Sequence, residues 1–322
     1  MRNSVCGRAG IVLAISILLA APAFSGTKIE KELKLEPGGS FVLDSDVGSV
    51  TVVGTDEAGA RVVITSRRDD FDSKYKLSFD EDTGRVKVKV DKKGGGILSW
   101  ISWSSSDGIK FDIEVPRETH IDIDTAGGRI VVEAITGNAR LDTSGGGISA
   151  RDIEGNLLAD TSGGSIDVEK VIGTVNADTS GGNIDVVAVI GDVRADTSGG
   201  SIDISEVDGD INADTSGGSI NIKEAAGYVR ADTSGGNVRV VFATGNSSGG
   251  DLSTSGGSIF VGLDPSANLD VDAATTGGKL DLGLPVTVQG SISRGAVRGT
   301  LGSGGATLTV RTSGGDIEIE PR

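Results

Sequence analysis

A nine-residue phrase constrains this chain more than any other feature. Asp-Thr-Ser-Gly-Gly-x-Ile-x-Val/Ile occupies Asp160–Val168, Asp178–Val186, Asp196–Ile204 and, with Asn221 in its eighth place, Asp214–Ile222. The series Asp124, Asp142, Asp160, Asp178, Asp196, Asp214 and Asp232 advances by 18 residues at every step. A fixed period of this length marks a chain built from stacked repeats, each too small to bury a core alone. The spacing then loosens: Thr254 follows Thr233 after 21 residues, Thr275 after another 21, and Thr312 after 37. An insertion at Asn246–Gly250 and one degenerate repeat account for those steps.

Within a repeat the apolar residues alternate: Ile184 and Val186, then Val189, Gly191, Val193 and Ala195, with Thr197 in phase. Period two is the signature of strands, and no helical period fits. Ser-Gly-Gly supplies a corner, and Gly173, Gly191, Gly209 and Gly227 supply a second bend or a close approach. Each repeat is therefore one circuit of chain. Stacking the circuits in register gives an all-β, parallel β-solenoid, β-helix-like, of 18-residue coils spaced about 4.8 Å apart. Residues 124–322 would form about 11 coils and a rod of roughly 50 Å. The 51 glycines among 322 residues fit a turn at every step, and the 3% aromatic content fits a core too narrow for rings.

Residues 26–123 are β-rich but irregular. Val47–Gly54 reads as an early, imperfect coil, and Arg85–Asp91 and Lys110–Pro116 alternate cleanly. This region is expected to cap the solenoid's open end, which would otherwise leave strand edges unpaired. The division is then 1–25 signal peptide, 26–123 cap, and 124–322 solenoid continuous with it. The first segment has Arg2 and Arg8, an apolar run from Ile11 to Ala21, and small residues around Ala23 and Ser25. That is the form of a cleaved secretory signal, too short for a retained span. Cleavage would remove Cys6, the chain's one cysteine.

The sequence Gly48-Ser-Val-Thr-Val-Val-Gly54, then Phe111-Asp-Ile-Glu-Val-Pro116, then the tandem Asp-Thr-Ser-Gly-Gly units resembles the bacterial putative-adhesin family of exported β-strand-repeat proteins. The similarity covers about residues 28–322. It implies a β-solenoid exposed to the cell envelope or exterior and supplies no catalytic residues to carry over.

The chemistry available is narrow. With 30 Lys+Arg against 46 Asp+Glu, the formal charge of −16 argues against nucleic acid and anionic membranes as partners. One histidine and one cysteine leave little for nucleophilic catalysis or a zinc site, and His120 reads as a strand surface residue. The aspartates from Asp142 to Asp232 should stack outward, one per coil, beside a second column of Asp167, Asp185 and Asp203 that Asn221 continues. Like charges ~4.8 Å apart repel by about 1 kcal/mol even in water. Each Asp is expected to relieve this by bonding its own turn's N–H groups, with calcium bridging as the alternative. The ladder Thr143, Thr161, Thr179, Thr197, Thr215 and Thr233 is expected to point inward and bond along the stack rather than form an ice-binding face. Trp100 and Trp103 are expected to pack in the cap, with a glycan contact surface as the alternative.

No catalytic, cofactor-binding or metal residue is assigned, and no enzyme activity is expected. No cofactor is expected either, calcium being the one open possibility. The expected role is an exported adhesin or envelope scaffold in the periplasm, at the surface or outside the cell. Its mature chain would have no transmembrane segment, and its ligand would be a surface glycan or protein. A glycan-binding or glycan-cleaving β-helix and a calcium-stabilised rod are the alternatives.

Overall fold

The computed structural model describes residues 26–93, 108–288 and 295–322. The signal segment, Cys6, Trp100 and Trp103 lie outside them. The first part contains β1 (Thr27–Leu33), β2 (Gly39–Ser45), β3 (Ser49–Thr55), β4 (Ala60–Ser66), a one-turn helix α1 (Phe71–Lys74), β5 (Tyr75–Asp82), β6 (Arg85–Lys92) and β7 (Lys110–Pro116).

Paired strands then follow at each turn: β8 (Thr119–Thr125) and β9 (Ile130–Thr136), β10 (Ala139–Thr143) and β11 (Ile148–Glu154), β12 (Leu157–Thr161) and β13 (Ile166–Ile172), β14 (Val175–Thr179) and β15 (Ile184–Ile190). The series continues through β16 (Val193–Thr197) and β17 (Ile202–Asp208), β18 (Ile211–Thr215) and β19 (Ile220–Ala225), β20 (Val229–Thr233) and β21 (Val238–Phe242), β22 (Gly250–Thr254) and β23 (Ile259–Leu263). The last part holds β24 (Leu269–Thr275), β25 (Leu280–Leu282), β26 (Thr287–Val288), β27 (Ala296–Leu301), β28 (Ala306–Thr312) and β29 (Ile317–Pro321).

The strands form a 14-stranded and a 15-stranded sheet, and the chain steps from one to the other once per half coil. In the repeat region each strand pairs in parallel with its equivalents one coil away, Ile166 with Ile184 and Ala177 with Ala195. The protein is thus a parallel β-solenoid. Its core is a set of columns, such as Ile166, Ile184, Ile202 and Ile220, at most 1% exposed. Burying each such side chain contributes about 1.5–3 kcal/mol. Rings do enter this core: Phe41, Phe111 and Phe242 are fully buried. Phe242 fits because Gly250, paired with Val229, leaves the space that the column's valines fill elsewhere, and the ring lies 3.5 Å from where a Gly250 Cβ would be.

At both ends the chain departs from sequence order. The coil β2–β3 lies between β6–β7 and β8–β9, and the coil β28–β29 lies between β22–β23 and β24–β25. The first and last coils in sequence are thus each one place inside the stack. Antiparallel strands close what remains: β4 on β7, β1 on β4 and β5 on β6 at one end, and β27 on β24 with β26 on β27 at the other. The 37-residue step from Thr275 to Thr312 is therefore an excursion through β26 and β27 and a return beneath β24–β25, not a degenerate repeat. The insertion at Asn246 is tied down by that buried side chain. Its Nδ2 donates to the carbonyls of Ala225, Ala226 and Gly227 at 3.0, 2.7 and 2.9 Å.

Candidate functional site

What the rod presents to a partner depends on which residues its own stacking consumes. At the Ser-Gly-Gly corner the recurring residues are spent on the stack. Thr161 donates its hydroxyl to the carbonyl of Gly146 in the preceding coil at 2.8 Å and accepts from the N–H of Gly164 in its own at 3.3 Å. Thr179, Thr197, Thr215 and Thr233 repeat this pair of bonds. These threonines are buried, so no hydroxyl face exists there. The second glycine is required by contact: a Cβ on Gly200 would sit 1.8 Å from the Gly182 carbonyl oxygen, whereas one on Gly199 would find ordinary contacts at 3.7 Å. The corner glycines serve close coil-to-coil approach, not a left-handed turn.

The position after Gly-Gly forms a second ladder. The backbone N–H of Ser201 donates to Asn183 Oδ1 at 2.9 Å, that of Asn183 to Ser165 Oγ, and that of Asn237 to Ser219 Oγ. A third ladder runs along the opposite corner. His120 starts it, its Nδ1 accepting from the Asn138 N–H at 3.1 Å, and Asn138 and Asn156 accept from the coils that follow. His120 is thus a rung that satisfies a corner N–H where no strand partner reaches it. The recurrence of Ser or Asn at 165, 183, 201, 219 and 237 is the sequence signal for the second ladder.

With Thr hydroxyls and inter-coil bonds meeting the turn N–H groups, the aspartates are left outside. Contrary to expectation, the Asp142–Asp232 carboxylates accept no bond from their own turn's N–H groups. Some find side-chain partners: Arg194 with Asp196 at 2.8 Å, Arg140 between Asp122 and Asp142 at 3.9 and 3.8 Å, and Asn212 with Asp214. In the other column Asn221 donates to Asp203 at 2.8 Å. Partial burial, then the neighbouring aspartates, push Asp124, Asp142 and Asp185 above the ordinary carboxylate range, and Asp196 rises despite Arg194. The carboxylates stand in a line, and no group of three or more His, Cys, Asp or Glu among the described residues is gathered to hold a metal ion.

The remaining distinctive surface lies on the long strands. Ala134, Asp152, Lys170, Ala188, Glu206 and Glu224 all have φ between 53° and 62°, one per coil. Left-handed backbone costs a non-glycine residue roughly 1–2 kcal/mol. Each such residue flips the strand's inside-outside parity, which is why the inward set jumps from Val186 to Val189. The register keeps the flip aligned, Glu169 facing Val187 and Val171 facing Val189. The column stops at Glu224, because β21 has no counterpart and Ala225 pairs with Phe242 after a register shift.

Along this column runs an open groove of about 540 Å³. Ile172 and Ile190, immediately after inward Val171 and Val189, stand 53% and 58% exposed on it, and Val187, outside its lining, is 38% exposed on the same strand as Ile190. Apart from Tyr228, these are the exposed large apolar side chains of the described rod. Two adjacent apolar residues on a half-buried strand force one outward. That was the sequence signal for the groove.

No curated protein matches the chain. Among solved structures it is similar to a putative adhesin from Bacteroides fragilis NCTC 9343, at 12% identity and TM-score 0.42 over 91% of this chain and 97% of that one. It is similar to a putative cell adhesion protein from Clostridium sporogenes ATCC 15579, at 12% and 0.24 over 92% and 100%. It is also similar to a putative lipid binding protein from Parabacteroides distasonis ATCC 8503, at 11% and 0.38 over 92% and 96%. No helix among the described residues is long and apolar enough to cross a membrane. Residues 41–320 match the Toastrack DUF4097 family, and the chain belongs to that family.

Proposed function

We propose that this protein is an exported, non-enzymatic interaction scaffold of the cell envelope, adhesin-like in that a rigid rod presents one side to a surface partner. The observation that carries this reading is the groove beside the left-handed column. It presents the exposed Ile172 and Ile190 on two adjacent coils, beside a column of left-handed residues whose parity flip turns them outward. Strain retained at a surface is characteristic of functional positions. The Thr, Ser and Asn ladders lock the coils, so the groove is preformed and binding would order little.

The rod is taken to work without a cofactor. Thermal melts in calcium and in chelator should coincide, and a large rise with calcium would instead make the aspartate columns metal sites. The interaction role is tested by fractionating cells that express the full chain. Retention on the envelope should fall when Ile172 and Ile190 are both replaced by serine, with circular dichroism unchanged. Equal retention would remove the groove from the account.

A further inference from the structure

The groove's rim says what kind of partner suits it. The apolar centre lies on β13 and β15, at Ile172, Ala188 and Ile190. One coil before it stands Glu154 on β11, and one coil after it stand Glu206 and Asp208 on β17. Basic groups at the groove are already engaged. Lys170 sits 3.8 Å from Asp152 and 3.5 Å from Glu169, and Arg117 sits 2.8 Å from Asp56. Glu154, Glu206 and Asp208 have no ion-pair or hydrogen-bond partner for their carboxylates among the described residues. The groove is therefore aliphatic in the middle with unneutralised negative charge at both ends.

We propose that the groove takes a basic peptide segment of a partner protein, its aliphatic side chains over Ile172, Ala188 and Ile190 and its Lys or Arg side chains on Glu154 at one end and on Glu206 and Asp208 at the other. This rests on the interaction role above and names its occupant. From β11 to β17 is three coil steps, roughly 14 Å, the reach of about four residues of extended chain. The strands beneath are fully paired to their neighbours, so recognition runs through side chains and not by adding a strand. A second copy of this chain is a poor occupant, since a chain of formal charge −16 would bring like charge to an acidic rim. An anionic lipid surface meets the same repulsion.

The test uses the full chain and fluorescence anisotropy with a short labelled peptide whose leucine-rich centre is flanked by lysines. The expected result is saturable binding that weakens as salt rises. It should weaken at least about tenfold, or 1.4 kcal/mol, in Ile172→Ser/Ile190→Ser and in Glu206→Gln/Asp208→Asn, tested separately. These side chains are exposed, so the variants keep the fold, and circular dichroism verifies it. No binding by the unmodified chain overturns the proposal. So does equal binding of an aspartate-flanked peptide, or equal binding by the Glu206→Gln/Asp208→Asn chain. If the serine variant loses envelope retention while the unmodified chain ignores the peptide, the occupant is wrong and the interaction role stands. If retention is also unchanged, the role itself fails.

Discussion

Two glycines side by side in each corner carry different duties, and the difference is measurable. Gly200 faces the Gly182 carbonyl so closely that a Cβ would overlap it, while Gly199 faces ordinary space. Gly200→Ala should therefore cost about 3 kcal/mol or more, through displacement of one coil from the next, and Gly199→Ala less than about 1 kcal/mol. Urea melts of the two variants decide this, and equal losses would mean the corner relaxes. Thr215→Val deletes two buried bonds and leaves the Gly200 carbonyl and Gly218 N–H without partners, for an expected loss of about 1–3 kcal/mol. His120 offers a milder case. As a rung it should be replaceable by asparagine, the residue that does the same work at 138 and 156, whereas alanine should cost about 1 kcal/mol. At this scale the inward Thr ladder was legible because parity put it there. The aspartates depart from the expected turn bonding because the hydroxyl one residue on takes the turn's N–H.

Strands repeat charge as faithfully as they repeat core, and in-register pairing sets each Asp beside its copy. Asp185, between Asp167 and Asp203, is raised by burial and then by both neighbours. A carboxylate raised in the folded chain holds protons that the unfolded chain, at about 3.9, has released. Stability therefore increases as pH falls from neutral through the raised range. Other groups act the other way. Although partial burial opposes it, bonds from Arg298 and Arg311 hold Asp272 low, and Asp264 is held low by Ser266. Their contribution is present above the unfolded value and lost as pH drops below it. The melting temperature should thus rise as pH falls from neutral toward the ordinary carboxylate range and fall once pH drops below it, and Asp185→Asn should flatten the rise. A melting temperature that falls steadily from neutral pH would show that the columns carry no net strain. The period and the strand phase were readable here because a stacked coil must match itself. The groove was half readable: the step from Val186 to Val189 recorded a parity change, and only the backbone identifies it as a left-handed residue.

For the whole rod, the order of coils is the part that sequence could not disclose. The coil β28–β29 carries the same Thr-Ser-Gly-Gly corner as its neighbours and would bond equally well at the end of the stack or one place inside it. What selects the inner place is the hairpin-like excursion before it. β27 pairs antiparallel with β24 and covers the edge that would have received the last coil. This makes the final coil a keystone and not a tail. In a solenoid stacked in sequence order, removing the last coil shortens the rod and leaves the rest protected, because each repeat depends on its nearest neighbours. Here, ending the chain at residue 305 removes the layer between β22–β23 and β24–β25, so β24 and β25 lose the parallel partners that hold them, and β27, paired antiparallel to β24, loses its anchorage with them. Hydrogen exchange should show protection collapsing over β24, β25 and β27 in the shortened chain while β10 to β19 stay protected. If β24 kept its protection, it would have docked directly on β22, and the inner placement of the last coil would be a preference of the intact chain and not a requirement of its fold.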